Sequence, residues 1–153
     1  MHLVLVKLKQ FIFVTAKYKV NLSEYPANIL LAFGESVIGN EEVMIWLLNN
    51  GYPEMAALAN AIRGSEEACA WLMKSGFPEL AALDAAIDHD VKAYLWLRQN
   101  NFALHAAFAD ACNHKPDAMA WFAAHDLHIF LVLAQKINSF RDNQKFDYHK
   151  VHF

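Results

Sequence analysis

Residues that bend or cross-link a chain are scarce in this 153-residue sequence, which contains five glycines, four prolines and two cysteines. This scarcity favours a helical protein, because glycine and proline usually mark the ends of helices and the turns between them. Cys69 and Cys112 do not form a disulfide pattern, and we interpret both as small core residues. Two unpaired thiols suit a reducing compartment.

Long apolar runs are also lacking. No uninterrupted apolar segment reaches the roughly 18 residues that a membrane helix needs. The apolar start at residues 2–6 precedes the first lysine, Lys7, whereas a secretory signal begins with its positive residues. We therefore expect a cytoplasmic protein that does not contact a membrane.

Excess positive charge is missing as well, since the formal net charge is −3. A chain without a basic field has no general attraction for nucleic acid. The sequence also contains no glycine-rich phosphate loop, no nucleophile elbow and no HExxH zinc motif. The absence of these motifs predicts a protein that is not an enzyme and that holds no cofactor.

What the sequence does contain is an internal repeat of 25 residues, marked by its four tryptophans, Trp46, Trp71, Trp96 and Trp121. Each tryptophan is followed by an apolar residue, and valine or alanine stands three positions before it, so that one face of a helix is apolar. We interpret the tryptophans as core residues because of this fixed place. A constant period of this length is typical of stacked helical hairpins.

Each repeat is predicted to contain two short helices with defined ends. A residue that tolerates a left-handed backbone follows each tryptophan by five positions and ends the first helix: Gly51, Gly76, Asn101 and Asp126. The second helix is predicted to stop at Gly64, His89, His114 and Ser139. N-caps for the following tryptophan helices are then supplied by Asn40, Ser65 and Asp90.

These features predict an all-α fold, an α-solenoid of about four to five stacked helical hairpins in a single domain, 1–153. The full repeats are 40–64, 65–89, 90–114 and 115–139, after an N-terminal capping segment and half repeat, 1–39. In that segment 27–38 is predicted to be a helix, whereas 10–22 combines helical spacing with β-prone composition, and we favour a helix. The C-terminal tail, 140–153, is expected to cover Ile129, Phe130 and Leu131 of the last repeat.

The stretch from Ala61 to Gly76, Ala-Ile-Arg-Gly-Ser-Glu-Glu-Ala-Cys-Ala-Trp-Leu-Met-Lys-Ser-Gly, resembles the helix–turn–helix portion of ankyrin repeats. Ala85 to Asn101 follows the same pattern, with His89 where the family usually has glycine. The resemblance extends over residues 28–138, although the period is shorter than the usual ~33 residues because the projecting β-hairpin is missing. It implies that the second helices line an inner, concave face.

Helical solenoids present long continuous surfaces and are commonly used for protein recognition. We therefore predict a non-enzymatic scaffold that binds a partner protein through its concave helical face. The expected contact residues differ between copies of the second helix: Asn60, Arg63, Asp88, Asp110, Asn113 and Gln135. Self-association through the apolar terminal repeats is an alternative mode of contact.

Two other classes of function stay open. Seven of the eight histidines lie at or after His89. The first alternative is therefore a metal-dependent enzyme that uses the C-terminal histidines. His89 and His114 occupy equivalent positions of helices that stack roughly 8–10 Å apart. Because a zinc ligand lies ~2 Å from its metal, these two side chains would have to converge to share one ion. The second alternative is a helical-repeat nucleic-acid-binding protein whose tryptophans stack on bases, although no basic stripe accompanies them.

Overall fold

The computed structural model describes the backbone of residues 21–150 and the side chains of residues 21–144. Within this part, all regular structure is helical: a 3₁₀ turn, Leu22–Glu24, precedes nine α-helices. They are α1 (Ala27–Val37), α2 (Glu41–Asn49), α3 (Pro53–Ile62), α4 (Glu66–Lys74), α5 (Pro78–Ile87), α6 (Val91–Gln99), α7 (Ala103–Cys112), α8 (Pro116–Ala124) and α9 (His128–Lys150). The predicted all-α solenoid is confirmed, whereas the choice between helix and strand before residue 21 lies outside the described residues.

The backbone confirms how most of these helices end. Four non-glycine residues at predicted helix ends have left-handed backbones, with φ between 56° and 69°: His89, Asn101, His114 and Asp126. The predicted N-caps are also formed, because the side chains of Asn40, Ser65 and Asp90 accept hydrogen bonds from the backbone N–H three residues later. Local sequence therefore determines the helix–turn–helix outline of each repeat.

The last repeat departs from the prediction at Ser139, which does not end a helix. Helix α9 begins at His128 and continues to Lys150. Serine does not favour the left-handed backbone that His89 and His114 adopt at the equivalent positions. Residues 140–150 of the expected tail thus continue α9. Phe130 packs against the rings of Phe108 and Phe122, at centroid distances of 5.6 and 5.4 Å.

The second helices of the repeats, together with α1, form an inner ring. Along the chain α1 packs on α3, α3 on α5, α5 on α7 and α7 on α9, and α9 then packs on α1. Every inner helix contributes one side chain from the same repeat position, exposed by 1% or less: Phe33, Leu58, Leu83, Phe108 and Leu133. The described array is therefore a closed solenoid, with α2, α4, α6 and α8 packed around its outside.

The seam between α9 and α1 completes the ring. Lys136 Nζ forms an ion pair with Glu35 Oε1 at 2.6 Å. At Gly34 an added Cβ would lie 2.9 Å from Leu133 Cδ2 and 3.0 Å from Lys136 Cδ, so the missing side chain is what lets α9 approach α1. The two helices are thus joined by close packing and by the Lys136–Glu35 ion pair.

The tryptophans are not all core residues, contrary to the prediction. Trp71 is 7% exposed and stacks on Phe77, and Trp96 is half-buried and stacks on Phe102. Trp46 and Trp121 are 43% and 40% exposed. Trp121 lacks the phenylalanine partner because Leu127 takes that position. In the first repeat the corresponding tyrosine, Tyr52, packs against Tyr25 at a centroid distance of 6.1 Å.

Candidate functional site

The outer surface contains a groove of about 450 Å³ between α6 and α8, with α7 beneath it. Tyr94 and Arg98 line the α6 side, and Trp121 lines the α8 side. The rest of the lining consists of Ala103, Leu104, Ala106, Ala107 and Asp110 from α7, and of Asp117 and Ala118 from α8. We call this set the α6–α8 groove. Its volume lies in the range of roughly 300–1,000 Å³ that is usual for ligand pockets.

A chain of polar contacts fixes the α6 side of the groove. Tyr94 Oη donates a hydrogen bond to Asp110 Oδ2 at 2.8 Å, and Arg98 Nη1 donates to Tyr94 Oη at 3.4 Å. Lys115 Nζ lies 3.3 Å from Asp110 Oδ1. The hydrogen bond with Tyr94 raises the pKa of the Arg98 guanidinium, which therefore stays charged. The tyrosine ring is held in place while the guanidinium remains exposed to solvent.

Trp121 is held on the opposite side by Phe122 of the same helix and by His125, which caps that helix. Its indole stacks on the His125 imidazole at a centroid distance of 4.3 Å and meets the Phe122 ring edge-to-face at 5.1 Å. His125 Nδ1 lies 2.8 Å from the Trp121 carbonyl oxygen, which fixes the imidazole in that position. The indole is therefore both restrained and accessible in the α6–α8 groove.

Only one of the sequence-predicted contact residues, Asp110, lines this groove. Asn60 is 5% exposed and is thus withdrawn from solvent within α3. Gln135 is exposed on α9. The predicted residues therefore do not form one continuous surface.

The three remaining predicted residues, Arg63, Asp88 and Asn113, lie where α9 contacts the ends of the inner helices. Arg141 Nη1 donates to Asn113 Oδ1 at 3.3 Å, and Arg141 Nη2 lies 3.8 Å from Asp88 Oδ1. Arg63 donates to the Val37 carbonyl oxygen at 2.7 Å, and its guanidinium lies 4.9 Å from the centre of the Phe140 ring. These contacts give Arg63, Asp88 and Asn113 roles within the fold.

Tyr94, Arg98 and Trp121 were not singled out from the sequence as contact residues. The available signal was a departure from the repeat on one helix face. Tyr94 stands where the other copies have Met44, Cys69 and Met119, and Arg98 where they have Leu48, Met73 and Ala123. Because residues four apart are neighbours on a helix, both departures fall on the same patch.

A second polar group is buried among the inner helices. Tyr25 Oη donates to Glu54 Oε1 at 2.8 Å, and Glu54 and Glu79 are exposed by 5% and 3%. Burial raises the pKa of Glu54, and the nearby charge of Glu79 raises it further. Burial and the Glu54 charge raise the pKa of Tyr25 above its usual range. Tyr25 therefore remains a neutral hydrogen-bond donor.

His105 has an apolar environment. Neither ring nitrogen has a hydrogen-bond partner among the described residues, and the ring meets Phe102 edge-to-face at 5.1 Å. Burial lowers the pKa of His105 to about 4, so the imidazole is neutral at pH 7. It is thus a core residue at the position that Leu80 occupies one repeat earlier.

No group of three or more histidine, cysteine, aspartate or glutamate side chains within the described ranges is arranged to hold a metal ion. Cys69 and Cys112 are free thiols, and burial raises the pKa of Cys112 to about 12. Nor does the described part of the chain contain a helix long and apolar enough to cross a membrane.

Together, the ring and its groove define a closed all-α helical-repeat protein with an aromatic recess on its outer surface. No family model matches this chain, and neither the search of curated proteins nor the search of solved structures finds a match.

Proposed function

We propose that this chain is a protein-recognition module that binds a partner protein in the α6–α8 groove. The observation that carries the proposal is the presence of Tyr94, Arg98 and Trp121 around one alanine-lined recess. Tyrosine, arginine and tryptophan are the residue types that most often dominate binding energy at protein interfaces. Because the Tyr94 and Trp121 rings are restrained, little rotamer freedom is lost when a partner covers them.

The proposed contact lies on the outside of the ring rather than on its concave face. The inner helix α3 is buried at every position from Pro53 to Ala61, including Asn60. A partner that contacts α3 at these positions would have to displace the helices packed on it. The groove needs no such rearrangement, and it includes Asp110 from the originally predicted set.

The resemblance of Ala61–Gly76 to ankyrin repeats supports the same class of function, since helical-repeat arrays present extended surfaces to other proteins. In this proposal the protein acts in the cytoplasm. The free thiols of Cys69 and Cys112 would remain reduced there.

The proposal can be tested with the purified protein as bait in an extract of its source. Three baits are compared: the wild type, the groove variant Trp121→Ala and the control Met73→Ala. Met73 is 57% exposed on α4 and does not line the groove. Its replacement by alanine therefore controls for the loss of an exposed apolar side chain outside the groove. Captured proteins are identified and quantified by mass spectrometry.

We expect a stoichiometric protein with the wild type and Met73→Ala baits that is lost with Trp121→Ala. Circular dichroism and melting of the variants would verify that all three baits are folded. Capture of the same proteins at the same level by the groove variant would contradict the assignment of the interface.

A further inference from the structure

We propose that the α6–α8 groove binds an arginine side chain of the partner protein, with the guanidinium stacked on Trp121 and paired with Asp117. This inference rests on the proposed function and specifies which residue of the partner enters the groove. Three features of the groove favour this ligand: the balance of its charges, the position of its open carboxylate and the aromatic and apolar surface beside that carboxylate.

The charged side chains of the groove favour a cation over an anion. Two carboxylates, Asp110 and Asp117, line it together with one cation, Arg98. Arg98 is exposed to solvent, where water weakens its interactions. The lining thus has one more carboxylate than cation, and an anionic ligand would add to that excess.

Asp117 is the carboxylate that is left to bind a ligand. Both oxygens of Asp110 already have partners, Tyr94 Oη on Oδ2 and Lys115 Nζ on Oδ1. Asp117 is exposed in the first turn of α8, and no residue with a described side chain forms a hydrogen bond or an ion pair with its carboxylate. A cation from a partner would thus meet an acidic group without a competing contact among those residues.

Asp117 and Trp121 lie on the same face of α8. They are four residues apart, which makes them neighbours on the helix surface, and both line the groove. The His125 imidazole stacks on the indole, but 40% of Trp121 remains exposed. A cation held beside Asp117 would therefore also lie against an aromatic ring, which attracts cations. The same positions of α4, Glu67 and Trp71, do not offer this pair, because Trp71 is only 7% exposed.

The surface of the groove favours arginine over lysine. A guanidinium is planar, so it can stack on an indole while its N–H groups meet both oxygens of a carboxylate. An ammonium group is a point charge and gains less from a flat surface. Leu104, Ala106 and Ala107 of α7 supply apolar atoms to the lining. The methylene groups of an arginine can pack against them while its charge remains at Asp117.

The α6 wall of the groove already has cations of its own. Arg98 Cζ lies 6.0 Å and Lys115 Nζ lies 5.8 Å from the centre of the Tyr94 ring. Their positive charges disfavour a further cation on this wall and direct an incoming guanidinium to Asp117 and Trp121. Removal of the Arg98 charge should consequently strengthen the binding of an arginine, whereas it would weaken the binding of an acidic ligand.

The test uses four blocked tripeptides that differ only in the central residue. N-acetyl-alanyl-arginyl-alanine amide carries the proposed ligand, and the peptide with citrulline is its neutral match of nearly the same shape. The peptide with lysine has the same charge without the planar fork, and the peptide with glutamate has the opposite charge. Binding is followed through the indole N–H resonance of Trp121, which the variant Trp121→Phe identifies among the four tryptophans.

Each peptide is titrated against the full chain and against three variants. Asp117→Asn removes the proposed partner of the guanidinium. Glu67→Gln is the matched control, because Glu67 is exposed at the same position of α4 and does not line the groove. Arg98→Gln removes the cation that lines the α6 wall. Amide spectra that are unchanged away from each substitution would establish that the variants keep the fold.

We expect the arginine peptide to bind the wild type about three- to tenfold more tightly than the citrulline peptide, as one exposed ion pair and one cation–π contact would give. That preference should vanish in Asp117→Asn, persist in Glu67→Gln and increase in Arg98→Gln. The lysine peptide should bind more weakly than the arginine peptide, and the glutamate peptide more weakly than the citrulline peptide.

Four results would overturn the inference: equal binding of the arginine peptide and the citrulline or lysine peptide, persistence of the preference in Asp117→Asn, weaker binding of the arginine peptide to Arg98→Gln than to the wild type, or no shift of Trp121 with any peptide. A partner whose capture depends on Trp121 but not on Asp117 would leave the proposed function standing while this inference fails. Conversely, arginine-selective binding without a captured partner would support the groove chemistry and contradict the protein-recognition role.

Discussion

Replacing His105 by leucine should stabilise the protein, and more strongly at pH 5 than at pH 7. His105 is 1% exposed, and neither of its ring nitrogens has a hydrogen-bond partner among the described residues. A buried polar group without a partner costs about 1–3 kcal/mol. Leucine fills the same repeat position at Leu80, which is 2% exposed. We therefore expect His105→Leu to raise the free energy of unfolding at pH 7 by about 1 kcal/mol.

The pH dependence follows from the lowered pKa of His105, about 4 in the folded protein against an ordinary value of 6.5. Between these values the unfolded chain binds a proton that the folded protein excludes. The stability linked to His105 is thus fully present above about pH 6.5 and is lost as the pH falls towards 4. At pH 5 the loss amounts to about 2 kcal/mol, at 1.36 kcal/mol per pH unit. The leucine variant has no such loss.

Two carboxyl groups, Asp84 and Glu54, have pKa shifts that act on stability with the opposite sign. Burial and the nearby Asp88 charge raise the pKa of Asp84 to about 6, and burial raises that of Glu54. Their contribution to stability is present below their ordinary pKa values. It is lost as the pH rises through their pKa values in the folded protein. The wild type and the His105→Leu variant both contain Asp84 and Glu54. The contribution of these two groups therefore cancels in the difference between the two free energies of unfolding.

The assay is urea unfolding of the wild type and His105→Leu at pH 7 and pH 5, followed by tryptophan fluorescence. We expect the stability gap between the two proteins to widen by about 2 kcal/mol at the lower pH. A gap that is equal or smaller at pH 5 would refute the account of His105 as a neutral, unpartnered core residue.

The other predictions concern the tryptophans and the ring seam, and each is checked by equilibrium unfolding. Trp71→Ala should cost about 3–5 kcal/mol because the indole is 7% exposed. Trp121→Ala should cost less than half of that, since 40% of this residue is already exposed; equal costs would contradict the packing. Gly34→Val should destabilise the seam by about 2 kcal/mol through overpacking against α9, and an unchanged stability would show that the helices separate freely. Lys136→Met should cost only about 0.5 kcal/mol and lose that effect at high salt or when Glu35 is also replaced by Gln.

The local structure of each repeat could be predicted from the sequence because it depends on neighbouring residues. His89 and His114 illustrate this, since their place in the repeat alone indicated a left-handed helix end, and the backbone has it. Ser139 shows the limit of the same reasoning. Its position predicted a helix end, but serine does not provide the backbone preference, and α9 continues.

Closure of the ring could not be read from the repeat in the same way. It depends on the contact of Gly34 with Leu133 and Lys136, which lie about a hundred residues further along the chain. These residues come together only if the curvature of every hairpin adds correctly. Curvature arises from the small rotation between successive units, which the residue types in the repeat columns do not specify. The α6–α8 groove was missed for a related reason. Tyr94 and Trp121 become neighbours only after α6 and α8 are arranged around α7.

The contact between α9 and α1 limits how a protein of this kind can change its length. An open solenoid can gain or lose a hairpin at modest cost, because each unit contacts only the units beside it. In the closed array the inner helices are already in contact all the way round. A duplicated or deleted copy would leave α1 and α9 mismatched and expose Phe33 and Leu133. The number of hairpins is therefore a property of the whole molecule, and natural variation should appear as substitution within the repeats rather than as a change in their number.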